Sequence, residues 1–191
     1  CHISNCVAKA NRMVGIINRS FESMDIPMFL PLYKSLIRPH VEYASVIWSP
    51  ILKKDIIAIE NVQRRATKIV EGIKDLSYSE RLVELGLPTL QYRRRRSDMN
   101  QIYRIIHGMD DTPSAKFFDL DTEGRTRGNS LKIKKKQCRL DCRKNVFSNR
   151  VVNMWNSLPN SIVQAPSFNC FKSRLNTHWR NVDIKFQPDC F

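Results

Sequence analysis

Apolar residues at spacings of three and four dominate the first half of the chain, and no other feature restricts its fold as much. Ile3, Val7, Ala10, Val14, Ile17 and Phe21 form one such series, flanked by Lys9, Arg12 and Arg19. A helical period gathers these positions on one face, whereas a strand would scatter them over two. Asp25-Ile26-Pro27 breaks the series, and a second helix is predicted through Leu30, Tyr33, Leu36 and Ile37. Pro39 is expected to kink or restart it before Val41–Trp48, and Ser49-Pro50 to end it. A third helix is predicted from about Lys53 to Val70. Ile56, Ile59, Val62, Ala66 and Ile69 face inward on it, and Arg64, Arg65 and Lys68 mostly outward.

The next signals are local. Ser77 and Glu80 have capping-box spacing, Leu82 and Leu85 supply a buried side, and Gly86 is a stop. Pro88-Thr89 then opens a longer helix, Leu90 to His107. Short connections between helices of this kind imply compact antiparallel packing. After Gly108 the regularity fades. Thr126–Asn129 reads as loop, and Leu131–Arg139 alternates weakly, as a short strand or hairpin would. Helical spacing returns at Phe147, Val151, Trp155 and Leu158, up to Pro159. A last helix is predicted from Ser167, an N-cap, through Phe168, Phe171, Leu175 and Trp179. The expected fold class is therefore mainly α. A helical bundle over residues 1–75 and a helical extension over 76–108 precede an acidic connector over 109–130. A basic helical region with an irregular or hairpin stretch fills 131–191. No internal repeat points to a solenoid.

Charge bears on function. The 191 residues carry 32 Lys and Arg against 18 Asp and Glu, a formal net charge of +14. From Arg125 to Arg180 there are 13 basic residues and one acid, Asp141, whereas Asp110–Glu123 holds five acids and only Lys116. A basic excess so concentrated points to a polyanion, nucleic acid or an anionic membrane. No apolar run approaches the roughly 18 residues of a membrane span, and Cys1–Ala10 lacks the basic start and apolar block of an export signal. The lysines of the basic region lie outside any clear amphipathic helix, which argues against a membrane surface. An intracellular protein, nuclear or cytoplasmic, with reduced thiols is expected. The first residue is Cys1 rather than Met, as expected of a processed product or a piece of a longer chain.

Catalytic patterns are sparse. Asp110-Asp111 is the one adjacent acidic pair, but it follows a helix end and precedes Thr112-Pro113 with no strand on either side, so it reads as a solvated acidic turn. A magnesium enzyme built on it is the weakest reading. Cys138 and Cys142 could be half a zinc site, but Cys170, His178 and Cys190 follow at spacings no common finger uses, and Cys1, His2 and Cys6 lie at the terminus. His40, between a proline and an apolar helix, reads as a packing residue. No cofactor and no metal are expected.

Two basic clusters remain. Arg93, Arg94, Arg95 and Arg96 occupy consecutive helical positions and sweep roughly 300° around the axis, so at least one must turn toward the protein. There it needs an acid, helix carbonyls or a bound phosphate, with Asp98 and Glu84 the candidate acids. The second cluster is Lys132, Lys134, Lys135, Lys136, Arg139, Arg143 and Lys144. It is either a solvated or import-like run or a surface for phosphate neutralisation.

Several phrases together resemble the region that follows the palm in non-LTR, LINE-type retrotransposon reverse transcriptases of the jockey-like and chicken-repeat-like clades. They are Leu32-Tyr33-Lys34-Ser35-Leu36-Ile37-Arg38-Pro39-His40-Val41-Glu42-Tyr43-Ala44-Ser45-Val46-Ile47-Trp48-Ser49-Pro50, Val62-Gln63-Arg64-Arg65-Ala66-Thr67-Lys68 and Leu85-Gly86-Leu87-Pro88-Thr89-Leu90 up to Arg93-Arg94. Thr126-Arg127-Gly128, Asn145 through Pro159 and Phe168 through Lys172 continue the similarity in collinear order over about residues 2–180. The resemblance implies that residues 2 to about 70 correspond to the thumb, which grips template and primer. The remainder would correspond to a C-terminal region associated with element RNA or target DNA. The family's palm aspartates have no matching positions here, so the chain by itself should not polymerise.

The leading expectation is a nucleic-acid-binding part of an RNA-directed DNA polymerase. Lys9, Arg12, Arg64, Arg65 and Lys68 would contact the template–primer backbone, and the Arg93–Arg96 and Lys132–Lys144 clusters flanking RNA or DNA. Its partners would be nucleic acid and the palm and fingers of the parent polyprotein. A structural helical module packing on that polyprotein, or a host-domesticated fragment without nucleic-acid binding, is the alternative.

Overall fold

The apolar series at the start forms α1 (His2–Ser20), which buries Ala10, Val14 and Ile17 and leaves Lys9, Arg12 and Arg19 exposed. The structure is a computed structural model and describes residues 2–121, 129–180 and 185–186. Cys1, Glu123, Thr126, Arg127, Gly128 and Cys190, singled out above, lie outside the described residues. The fold is mainly α. It comprises two compact units, Cys1–Arg94 with Val182–Phe191, and Arg95–Asn181. The helical extension expected over residues 76–108 is shared between them.

In the first unit α2 (Ile26–Leu32) is capped by Asp25, whose carboxylate accepts the Met28 N–H at 2.9 Å. The helical run continues past Pro39. Lacking an N–H, this proline leaves the Ser35 carbonyl without its helical donor, and a π turn over Tyr33–Ile37 absorbs the mismatch before α3 (Arg38–Glu42). The helix expected over Val41–Trp48 is interrupted at Tyr43-Ala44. Ala44 takes a left-handed φ of 52° and α4 is a single turn, Ser45–Trp48. The third predicted helix is α5 (Lys53–Ala66), tightening into a 3-10 turn over Thr67–Ile69.

The Ser77 and Glu80 box is present: the Ser77 hydroxyl accepts the Glu80 N–H at 3.3 Å and the Glu80 carboxylate accepts the Ser77 N–H at 2.8 Å. It opens α6 (Tyr78–Glu84), which ends in a Schellman turn at Gly86, φ +60°, where the Leu87 N–H reaches the Leu82 carbonyl at 3.0 Å. The first unit's core joins Val14 and Ile17 to Phe29, Tyr33, Ile37 and Val41, and to Ile59, Val62, Ala66 and Leu82.

The long helix α7 (Leu90–Ile106) contributes its residues through Arg94 to the first unit and the rest to the second. Met99, Ile102 and Tyr103 are buried in the second unit with Trp155, Val163, Phe171 and Leu175. Tyr103 stacks on Phe171 at 4.3 Å between ring centres and donates its hydroxyl to the Ala165 carbonyl at 2.6 Å. The helix predicted from Phe147 up to Pro159 is divided into α9 (Phe147–Arg150) and α10 (Val152–Asn156), with single turns α8 (Asp141–Lys144) before it and α11 (Asn160–Val163) after it. The last helix, α12 (Phe168–His178), has its Ser167 hydroxyl accepting the Cys170 N–H at 3.2 Å. The hairpin weighed for 131–139 is reduced to one antiparallel bridge between Leu120 and Ile133. Among the described residues no helix is long and apolar enough to cross a membrane.

Candidate nucleic-acid interface

Four consecutive arginines at the start of α7 cannot all face water, and the structure separates them. Arg93 grips Glu42 with two nitrogens, Nε to Oε1 and Nη2 to Oε2, the second at 2.9 Å, and Arg38 approaches the same carboxylate at 3.4 Å. Burial would lower the Arg93 pKa, but the hydrogen bonds and charge of Glu42 outweigh it and raise it. Arg94 is 4% exposed, so it has no surface to offer a bound phosphate. Its charge stabilises the buried carboxylate of Glu60. That carboxylate also accepts the Tyr78 hydroxyl at 2.7 Å and the Leu90 N–H at 3.1 Å, which caps α7. Burial nevertheless holds the Glu60 pKa above the ordinary carboxylate value, against the Tyr78 hydrogen bond and the Arg94 charge. Glu42 and Glu60 are thus inward partners of the cluster. Glu84 is exposed, and Asp98 receives Arg150 at 2.9 Å. Of the cluster only Arg95 is exposed and Arg96 half-buried.

On the first unit's helices Lys9, Arg12, Arg65 and Lys68 are exposed. On α5, Arg65 flanks the face that buries Ile59, Val62 and Ala66. Arg64 differs: its guanidinium stands over the Tyr78 ring at 5.0 Å. None of these cations lines the groove that the second basic cluster forms.

The second basic cluster is gathered. Its segment is pinned at Asn129 and Ile133. The buried Asn129 amide donates to the Trp155 and Leu158 carbonyls at 3.1 and 3.0 Å, and Trp155 Nε1 donates to the Leu131 carbonyl at 2.8 Å. Asn156 accepts the Ile133 N–H and donates to the Ile133 carbonyl, each at 2.9 Å. Held there, the chain leaves Lys134, Lys135, Lys136 and Gln137 exposed. It is caught again at Cys138, whose Sγ lies 3.2 Å from Asn149 Nδ2, while the same amide nitrogen donates to the Arg143 carbonyl at 2.8 Å.

The two pins frame a groove of about 880 Å³. Lys135, Lys136, Arg139, Lys144 and Arg150 line it, with the side chains of Asn145, Asn149 and Asn153, and among the described residues no acid does. Three of the five cations have counter-ions outside the lining. Lys136 meets Asp119 and Lys144 meets Asp141, both at 2.9 Å and well exposed, and Arg150 meets Asp98 in a pair whose side chains are 15% and 8% exposed. Lys132 is half-buried and Arg143 exposed, and neither lines the groove. The asparagines and Arg150 were not singled out from the sequence. A signal existed, because Asn145, Asn149 and Asn153 recur at intervals of four.

The other chemistry considered finds these settings. Asp110 follows a Schellman turn at Gly108 and is engaged by Arg104 at 2.6 Å and by Gln101 at 2.7 Å, while Asp111 is exposed. Cys6 Sγ lies 3.3 Å from His2 Nε2. Cys6, Cys138, Cys142 and Cys170 are free thiols, and among the described residues no three metal-ligating side chains come together. Comparison of the chain with protein-family models, curated proteins and solved structures finds no match.

Proposed function

We propose that the chain is a nucleic-acid-binding, C-terminal part of a LINE-type RNA-directed DNA polymerase that grips template–primer or element RNA and carries no catalytic palm. The groove on the second unit is the observation that carries this reading. Among the described residues five cations line it and no acid does, and three asparagine side chains face the same space, a composition suited to phosphates and to the polar edges of nucleotides. The exposed Lys9, Arg12, Arg65 and Lys68 supply further charge on the first unit. Binding should release counterions and so weaken steeply with salt. The test is fluorescence anisotropy with single-stranded, duplex and hybrid oligonucleotides at about 50 and 200 mM salt. Binding that falls at least tenfold over this range supports the reading, and no binding at the lower salt overturns it.

A second reading, a helical module that packs on the rest of a polyprotein, has its own observation. Tyr43 and Ile47 are each 82% exposed, and Ile51 and Leu52 follow at 55% and 54%, around the break between α3 and α5. An apolar surface of this kind suits a protein contact. It predicts a stable complex with a separately expressed palm and fingers, lost in Tyr43→Asp with Ile47→Asp, whether or not nucleic acid binds.

A further inference from the structure

We propose that the groove on the second unit holds an extended single strand of nucleic acid by its phosphates. The inference rests on the nucleic-acid reading above and names the strand and the residues. Lys135 and Arg139 are exposed and form no ion pair among the described residues, so both charges are available to a ligand. Lys136 and Lys144 are engaged only in exposed pairs, which contribute little and yield to a phosphate. Arg150 is different: Asp98 fixes its guanidinium, so it is a positioned donor rather than a mobile charge.

The asparagines narrow the ligand. Residues 145, 149 and 153 stand at four-residue intervals beside the cations. Asn145 and Asn149 give their amide nitrogens to the Asp141 and Arg143 carbonyls, each at 2.8 Å, so their amide oxygens and the exposed Asn153 amide are what the row offers a ligand. A single strand exposes base edges and ribose hydroxyls that such groups can pair with. An acidic peptide would use the cations, but its carboxylates only accept and cannot pair with those amide oxygens. The volume of about 880 Å³ falls within the range of ligand pockets, so it admits a few nucleotides of an extended strand. A duplex, a rigid convex cylinder, meets only its rim. Among the described residues no aromatic side chain lines the groove, so the contact is to phosphate first rather than by stacking.

The test uses the full chain and the double variant Lys135→Ala with Arg139→Ala, whose side chains are solvent-facing, with circular dichroism as a check on folding. The probes are a short RNA, the DNA of the same sequence, the matching duplex and a polyglutamate peptide. The variant should bind the single strands on the order of tenfold more weakly. The slope of log affinity against log salt should flatten by about 1.4, at roughly 0.7 per phosphate contact. Duplex affinity should stay within about twofold, and Lys135→Arg with Arg139→Lys should retain single-strand binding. Equal losses on RNA and DNA assign the contact to phosphate alone. A larger loss on RNA adds the ribose hydroxyl. Unchanged single-strand affinity in the variant, while the wild-type chain binds, overturns this site and leaves the nucleic-acid reading standing. An equal loss on the duplex, or polyglutamate bound as tightly as the strands, also overturns it. A wild-type chain that binds no nucleic acid removes both.

Discussion

Asn156 holds Ile133 by both ends of its amide, taking the Ile133 N–H on Oδ1 and giving Nδ2 to the Ile133 carbonyl, each at 2.9 Å. The bonds satisfy the backbone of a residue that is 3% exposed, in a segment whose only ladder contact among the described residues is one bridge to Leu120. Replacing Asn156 by Ala strands a buried donor and acceptor, at a cost of about 1–3 kcal/mol. Urea unfolding monitored by tryptophan fluorescence should show that loss. Trypsin should also cut sooner at Lys134–Lys136, because the clasp fixes the start of that run. A variant with wild-type stability and cleavage rate would mean the amide positions nothing.

Arg93 and Glu42 make a structural pair rather than a binding surface. With side chains 28% and 20% exposed, the pair is neither fully solvated nor fully buried. Arg93→Ala should therefore cost about 1–3 kcal/mol, between the values for surface and buried pairs. Arg93→Lys should recover only part of it, since an ammonium cannot reproduce the two-nitrogen grip. The discriminating measurement is nucleic-acid affinity. Arg93 variants should leave its salt slope unchanged, whereas Arg65→Ala, if Arg65 meets a duplex phosphate, should reduce it by about 0.9.

These two relationships show what a sequence can disclose. Four consecutive arginines forced at least one inward by helix geometry alone, but Glu42 and Glu60 lie 51 and 34 positions away from Arg93 and Arg94, and only packing brings them close. The Ser77 and Glu80 box and the Ser167 cap were legible because each closes within three residues. Asn129 and Asn156 carried no local signature, since an asparagine that pins a backbone looks like any other until the backbone arrives. The break at Val151 was equally hidden: Phe147, Val151 and Trp155 keep their helical spacing and are all buried, although the helix is divided between them. Lys132 to Lys144 read as a solvated run or a phosphate-neutralising surface without a shape, and the groove emerges from what holds its two ends.

Glu60 should make stability depend on pH in the direction opposite to most native carboxylates. Burial raises its pKa, so between the ordinary carboxylate pKa and the native one the folded chain binds more protons than the unfolded chain. Its contribution to stability therefore falls as pH rises through that window. Glu60→Gln keeps an acceptor for the Leu90 N–H and removes the titration. The stability of wild type relative to this variant should increase as pH is lowered toward the ordinary carboxylate pKa, measured by thermal unfolding across a pH series. A difference that stays constant, or shrinks on acidification, would contradict the raised pKa.

Ala44 offers a substitution that should stabilise the fold. It is the one non-glycine residue with positive φ among the described residues, at 52°, where a Cβ crowds the following carbonyl. The left-handed conformation costs an L-residue about 1–2 kcal/mol, and Ala44→Gly removes that cost. Glycine gives back about 0.4–1 kcal/mol through the greater freedom of the unfolded chain. The balance favours the variant by roughly 0.5–1 kcal/mol. Gly86→Ala reverses the change at a comparable φ of +60°, and with nothing within 4 Å of the added Cβ its cost is conformational alone. A rise in melting temperature for Ala44→Gly with a fall for Gly86→Ala is the expected pair. A fall in both would show that Ala44 relaxes out of the left-handed region, and that the exposed turn carrying Tyr43 and Ile47 has a different conformation.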